Sequence, residues 1–399
     1  MQPRFGKRTS PPHLITLILL AGVSALSMNI FLPSLPGMAL YFDTEYRVIQ
    51  LSIAVYLGVN AGLQLFLGPL SDRLGRRPVV LGGMAIFVLA TLGCIFSVHI
   101  AMFLAFRMLQ ATAVVAMVLS RAIVRDMVEQ DRAASMIGYV TMGMSVVPMI
   151  GPAIGGALDE VFGWQAGFWI VFGLGLGILV LSWFDLGETA PLNGQSFREQ
   201  ARQYPELLTS PRFWGYSLAA AFASGSFFAY LGGAPFVGAQ VFGLDPAWLG
   251  LYFGAPAIGY FLGNYLSARL SVRAGVNRMV YWGTLVNAGG ISVNLLLFYL
   301  GLATPETFFG FMSFVGLGNG MTNPNAAAGA LSVRPNLAGA ASGLSGALLI
   351  GGGAALSALS GAMLSPQSGA FPLLWIMLMT ALAAIASIQV VLWREARLR

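Results

Sequence analysis

Long stretches without a single charged residue alternate with short charged gaps along the whole chain. Uncharged runs cover Leu14–Phe42, Val48–Ser71, Pro78–Phe106, Met108–Ser120, Ala133–Leu158 and Val161–Phe184. After a polar interval they resume at Phe213–Leu244, Pro246–Ala268, Met279–Pro305, Thr307–Val333 and Pro335–Trp393. An apolar run of about 18 residues or more is long enough to cross a bilayer as a helix. Pro335–Trp393 holds two helices, with Ser365-Pro-Gln-Ser-Gly369 as the turn. Pro78–Ser120 also holds two, meeting near Ser97-Val-His99 and interrupted only by Arg107. The pattern predicts an all-α integral membrane protein with twelve transmembrane helices.

Composition agrees and narrows the class. Only 9% of residues are charged and 57% are hydrophobic, too few charges to cover a soluble surface. The first run follows Arg4, Lys7 and Arg8 but is too long for a cleaved signal, so it reads as a retained span. Cys94 is the one cysteine, and His13 and His99 fall outside the spans, so no disulfide, metal set or cofactor is expected. The net charge of +6 reports orientation and not a nucleic-acid partner. With both termini in the cytoplasm, nineteen of the 21 Lys and Arg residues lie on the cytoplasmic side, Arg47 faces out and Arg107 is inside a span. That is the positive-inside bias of a multi-pass protein of the inner, cytoplasmic membrane.

The polar interval Asp185–Arg212 divides the chain into two six-span halves, 1–186 and 213–399, joined by a cytoplasmic linker over 187–212. Phe197–Leu208 reads either as a short helix on the membrane surface or as plain linker. At an offset of 196 residues, Tyr56-Leu-Gly58 falls on Tyr252-Phe-Gly254, and Leu70-Ser-Asp-Arg73-Leu74 falls on Leu266-Ser-Ala-Arg269-Leu270. Parallel six-span repeats predict two bundles related by a pseudo-two-fold, with a binding site between them near the midplane.

Polar positions inside the spans mark candidate cavity walls. Tyr56, Asn60 and Gln64 stand at i, i+4 and i+8; Tyr252, Pro256, Tyr260 and Asn264 repeat that four-residue spacing, as do Asn319 and Asn323. Such stripes either line a cavity or hydrogen-bond a neighbouring helix. Tyr56, Asn60 and Tyr260 are taken as cavity residues; Gln64, Asn264 and Asn323, nearer the cytoplasmic end, as gate or glue. Burying Arg107 in a span costs on the order of 3 kcal/mol, so it should face a polar interior or snorkel outward. Gln110 shares its helix face. Phe227 and Phe228 offer apolar contact area.

The gap after the second run reads Gly68-Pro-Leu-Ser-Asp72-Arg73-Leu-Gly75-Arg76-Arg77-Pro78. It resembles the loop between spans two and three of major facilitator transporters, G-x-x-x-D-R-x-G-R-R, a conformational latch in that fold. The copy in the second half places Ala268 at the position of Asp72, so the latch should be one-sided. Arg107-Met-Leu-Gln110 is similar to the fourth-span motif of drug:proton antiporters, and Gly151-Pro152-Ala-Ile-Gly155-Gly156 to their antiporter motif in span five. Asn29-Ile-Phe-Leu-Pro33-Ser-Leu-Pro36 and Phe228-Ala-Tyr230-Leu-Gly-Gly-Ala-Pro235 resemble the Bcr/CflA drug-resistance family. The resemblance implies the major facilitator fold, a monomer, and export of small amphipathic compounds or drugs by alternating access with proton antiport. On it, Asn29, Tyr56, Asn60, Arg107, Gln110, Tyr230 and Tyr260 form the substrate cavity. The other reading on the same fold is a metabolite or nutrient carrier, or an uncoupled facilitator. An intramembrane enzyme lacks its catalytic groups here, and a channel fits poorly with a repeat and a latch.

One departure matters for coupling. Relatives in that subfamily carry Asp where this chain has Asn29, and Asn does not titrate. All fifteen Asp and Glu residues fall in loops or at span ends. Three readings stay open: a peripheral acid, Asp72 or Asp126, carries the proton; the substrate carries the exchangeable charge with Arg107 as switching cation; or the carrier is uncoupled.

Overall fold

The computed structural model describes residues 12–127, 150–189, 207–333 and 338–398, together with residues 136, 140, 147 and 205. Side chains of Gly68, Pro69, Asp72, Arg125, Ala338–Ala340, Ser342 and Leu398 lie outside the described set. So does Phe197–Leu208, apart from Pro205, Leu207 and Leu208. Every regular element among the described residues is helical.

Span one is Leu14–Asn29, a short turn Leu32–Ser34 and Leu35–Tyr41; span two is Tyr46–Leu74 and span three Arg76–Ile95. Span four is Ile100–Gln110 continued through Ala111–Ala113 into Val114–Met127. Span five is described over 150–162. Span six is Gln165–Asp185. Span seven is Pro211–Phe236 running into Val237–Val241, span eight Pro246–Tyr252 plus Ala255–Ala274, and span nine Val276–Tyr299. Spans ten, eleven and twelve are Pro305–Ser332, Ala338–Met363 and Phe371–Leu398. Among the described residues, nine helices are long and apolar enough to cross a membrane by that measure alone. Spans five, eight and ten complete the set, span eight being broken after Tyr252 and span ten diluted by glycine and asparagine.

The breaks have local causes. Pro33 and Pro36 cannot donate to a preceding turn, so span one changes course there, and Pro235 precedes the wider turn at Val237–Val241. Lipid is as apolar as leucine, so burial alone does not hold helices together in a membrane and close packing takes over. Spans eight and ten show it: a Cβ on Gly259 would strike the Ser313 carbonyl, and one on Gly316 the Pro256 carbonyl.

The chain has two chemically distinct ends. Arg73, Arg76, Arg77, Arg212, Arg269, Arg273 and Arg394 mark one, and Asp43, Glu45, Asp159, Asp245 and Glu306 the other. At the arginine-rich end, spans three and nine both start after a glycine of nearly identical backbone, Gly75 (φ 95°, ψ 151°) and Gly275 (φ 86°, ψ 151°). Such positive φ favours residues without Cβ. These glycines are 200 residues apart, so the structure corrects the register at this loop from 196 to 200. Leu270-Ser-Val-Arg273-Ala-Gly275 is the counterpart of Leu70-Ser-Asp-Arg73-Leu-Gly75, and Val272 stands opposite Asp72. The second copy still lacks the acid.

Candidate functional site

A cavity of about 310 Å³ lies between the two halves. Spans one, two and four form its first wall through Ser24, Met28, Asn29, Tyr56, Asn60 and Arg121. Spans seven, eight, ten and eleven face them with Phe227, Phe228, Tyr260, Asn319, Asn323 and Ile350 among others. The lining is mostly apolar, with neutral polar groups spaced around it, the usual make-up of a small-molecule pocket.

Of the residues expected at the cavity, Asn29, Tyr56, Asn60 and Tyr260 line it. Asn29 ends the first helical segment and donates from Nδ2 to its own Ala25 carbonyl at 2.7 Å. Asn60 accepts from Gln64 Nε2 at 2.7 Å, so Gln64 serves the stripe without reaching the wall. Asn264 turns back onto the Tyr260 carbonyl at 2.8 Å and is likewise off the wall. Asn323 lines the cavity and pairs with Ser224 at 3.0 Å.

Arg107, Gln110 and Tyr230 are not lining residues. Arg107 is wholly buried one layer back, its guanidinium 4.4 Å from the ring centres of both Phe31 and Tyr56. Its Nη1 donates to the Ser27 carbonyl at 3.2 Å and to Gln110 Oε1. Gln110 Nε2 donates to Thr91 Oγ1 at 2.8 Å, and Thr91 to the Phe87 carbonyl at 2.7 Å. Ser27 Oγ shares a hydrogen bond with the Tyr56 hydroxyl at 3.0 Å, tying this network to a cavity-lining ring. Tyr230 is buried with its ring 5.0 Å from Phe253, and its hydroxyl has no hydrogen-bond partner.

Arg121 joins the wall unexpectedly. The uncharged run ends at Ser120, which placed Arg121 in a cytoplasmic segment, whereas the helix continues to Met127 and keeps Arg121 on the cavity side. Ser224 and Phe253 were also missed, since a lone serine or phenylalanine in a span carries no periodic signal.

The helix carrying Gly151, Pro152, Gly155 and Gly156 packs tightly at the acidic end. A Cβ on Gly155 would collide with the Ile30 carbonyl, one on Gly156 with the Pro246 carbonyl, and one on Gly250 with the Pro152 carbonyl. Spans five and eight therefore meet backbone to backbone across the two halves. Tyr46 donates to the Gly232 carbonyl at 2.9 Å and Gln50 Nε2 to Ser357 Oγ at 2.8 Å, extending the seam to spans seven and eleven. Gly151 packs at ordinary distance near Leu26 and Asn29. Asp159, on the same helix, is hydrogen-bonded with Ser34 of span one beside this seam.

The residues expected to form a latch lie at the opposite end of spans two and three, away from the cavity. Glu188 accepts from the Arg76 and Arg77 backbone N–H groups at 2.7 and 3.3 Å, an anion at the start of span three where the helix dipole favours it. Arg76 Nε pairs with Asp126 of span four at 3.0 Å and its Nη1 bonds Ser71. Arg77 donates to the Leu186 and Trp183 carbonyls at 2.8 and 3.1 Å, gripping the end of span six. Arg73 is exposed and the Asp72 side chain is outside the described residues. The second half builds a similar tie differently: Glu395 accepts from Arg212 at 2.9 Å and from Asn277 at 2.6 Å.

Comparison with known proteins follows the same lines. The uncharacterized MFS-type transporter YdgK of Bacillus subtilis (strain 168) is 33% identical over 63% of this chain and 64% of its own length, so the match spans just under two thirds of that relative. Multidrug resistance protein D of Escherichia coli (strain K12) is 29% identical over 89% of each chain. A crystal structure of the peptide transporter POT in complex with sulfate superposes with a TM-score of 0.79 at 14% identity, covering 99% of this chain and 96% of that one, which establishes the fold. The Major Facilitator Superfamily model matches residues 17–358, and the chain belongs to that superfamily of membrane transporters.

Proposed function

We propose that this protein exports small amphipathic compounds, drugs among them, by alternating access. The observation that carries the reading is the cavity between the halves: apolar walls, scattered polar groups with Arg121 among them, and a glycine-packed seam at one end. Likeness to Multidrug resistance protein D over most of both chains supports it. The moving units are 1–186 and 213–399, joined by 187–212. The arginine-rich end lies in the cytoplasm with both termini, by the positive-inside bias, in an inner membrane. In this state the cavity is shut toward the outside. The protein works as a monomer, since cavity and seam are built from one chain.

Proton antiport is coupled at the latch end. The ion pair of Asp126 with Arg76 joins span four to the start of span three, and Asp72 neighbours it in sequence. Breaking or neutralising that tie would free one half to rock. Among the described residues no acid lines the cavity.

Expression in a strain stripped of its own efflux pumps tests the export reading. A raised tolerance to several amphipathic inhibitors, with lower accumulation of a fluorescent dye, is the expected result. No change in tolerance, with growth restored on a nutrient instead, would favour the metabolite-carrier reading.

A further inference from the structure

Two arginines stand at or just behind the cavity wall. Among the described residues, no carboxylate lines the cavity. Arg121 lines the cavity, and Arg107 lies one layer behind it, covered by the lining ring of Tyr56.

Arg107 is only half satisfied. Its Nη1 serves Ser27 and Gln110, and both faces of its guanidinium are covered by Phe31 and Tyr56. Nε and Nη2 are buried and have no hydrogen-bond partner. These two nitrogens form one edge of the guanidinium, the edge that takes a carboxylate side-on through two parallel hydrogen bonds. Among the described residues, the groups that meet the guanidinium are Ser27, Phe31, Tyr56 and Gln110, with the buried Cys94 thiol close by, none of them a carboxylate. Leaving a buried charge uncompensated is costly, and a planar two-pronged acceptor is the partner that would relieve it.

We infer that the cavity takes amphipathic compounds bearing a carboxylate or kindred acid group, with the Nε–Nη2 edge of Arg107 as the group that recognises the acid. Tyr56 is the side chain that has to move to admit it, its hydroxyl being held by Ser27. Arg121 draws the anion in from the arginine-rich mouth. This rests on the export reading and narrows it to a substrate class.

Three compounds sharing one aryl scaffold, ending in a carboxylate, a carboxamide and a trimethylammonium group, separate the possibilities. Binding to the purified full-length protein is followed by tryptophan fluorescence, and transport in proteoliposomes. The carboxylate should bind about tenfold more tightly than the ammonium compound, a difference of about 1.4 kcal/mol. Arg107→Gln should lower the carboxylate to the level of the carboxamide. Should that variant fail to fold, Asn29→Asp provides a second test: an acid on the cavity wall should reverse the preference toward the ammonium compound. Equal or tighter binding of the ammonium compound by the wild type overturns the inference, as does a carboxylate preference that survives Arg107→Gln. Transport of the carboxamide and ammonium compounds with rejection of the carboxylate sinks the inference but leaves the export reading intact. Transport of none of the three, nor of any other amphipath, sinks both.

Discussion

Arg107 shows how a charge is kept inside a membrane bundle. Its burial costs on the order of 3 kcal/mol by insertion scales. Ring contacts with Phe31 and Tyr56 and the hydrogen bonds from Nη1 offset part of that, while the Nε–Nη2 edge stays unmet. The stack and fork are properties of a planar guanidinium, so Arg107→Lys is not conservative. Transport by Arg107→Lys should fall at least about tenfold, a loss of about 1.4 kcal/mol, with expression and gel-filtration profile unchanged. Normal transport would remove Arg107 from the pathway. Tyr230 makes the opposite case. Its buried hydroxyl has no partner, so Tyr230→Phe should leave transport unchanged and hold or raise stability by up to about 1 kcal/mol. A thermal-shift assay checks this, and a clear loss of Tm would show that the hydroxyl does have a role.

At the scale of elements, the seam between spans five and eight depends on residues without side chains. Gly156 and Gly250 each face a carbonyl of the other half, where even a methyl group would not fit. Gly156→Val should therefore hold the acidic ends apart. Cysteines placed near them should react with a membrane-impermeant maleimide several times faster than in the unmodified seam; unchanged labelling would show that the contact is not the closure.

For the molecule as a whole, the sequence carried the topology much further than it carried the site. Charges punctuate the spans because each is expensive in lipid, so charged gaps such as Asp72–Arg77 and Arg269–Arg278 fall where helices end at Leu74 and Ala274, while turn-forming residues marked Ser97–His99 and Ser365–Gly369. Breaks that cost no charge left no such mark, among them those at Ala111–Ala113 and after Tyr252. Helix rotation was hidden for a related reason. Faces toward lipid and toward other helices are equally apolar, so nothing in the pattern put Arg107 behind Tyr56 or turned Tyr230 off the wall. Arg121 was misplaced because an arginine at the end of an uncharged run looks like a loop, although a wet cavity mouth accommodates it as well. The repeat was visible, yet only the paired glycines Gly75 and Gly275 fixed its register at the latch.

Dye uptake into inverted membrane vesicles tests the export claim most directly, since it presents the arginine-rich mouth to the added compound. Vesicles carrying the protein should accumulate an amphipathic dye, faster under an interior-acid gradient, and lose that accumulation with Arg107→Ala. Equal uptake by vesicles with and without the protein would contradict the account.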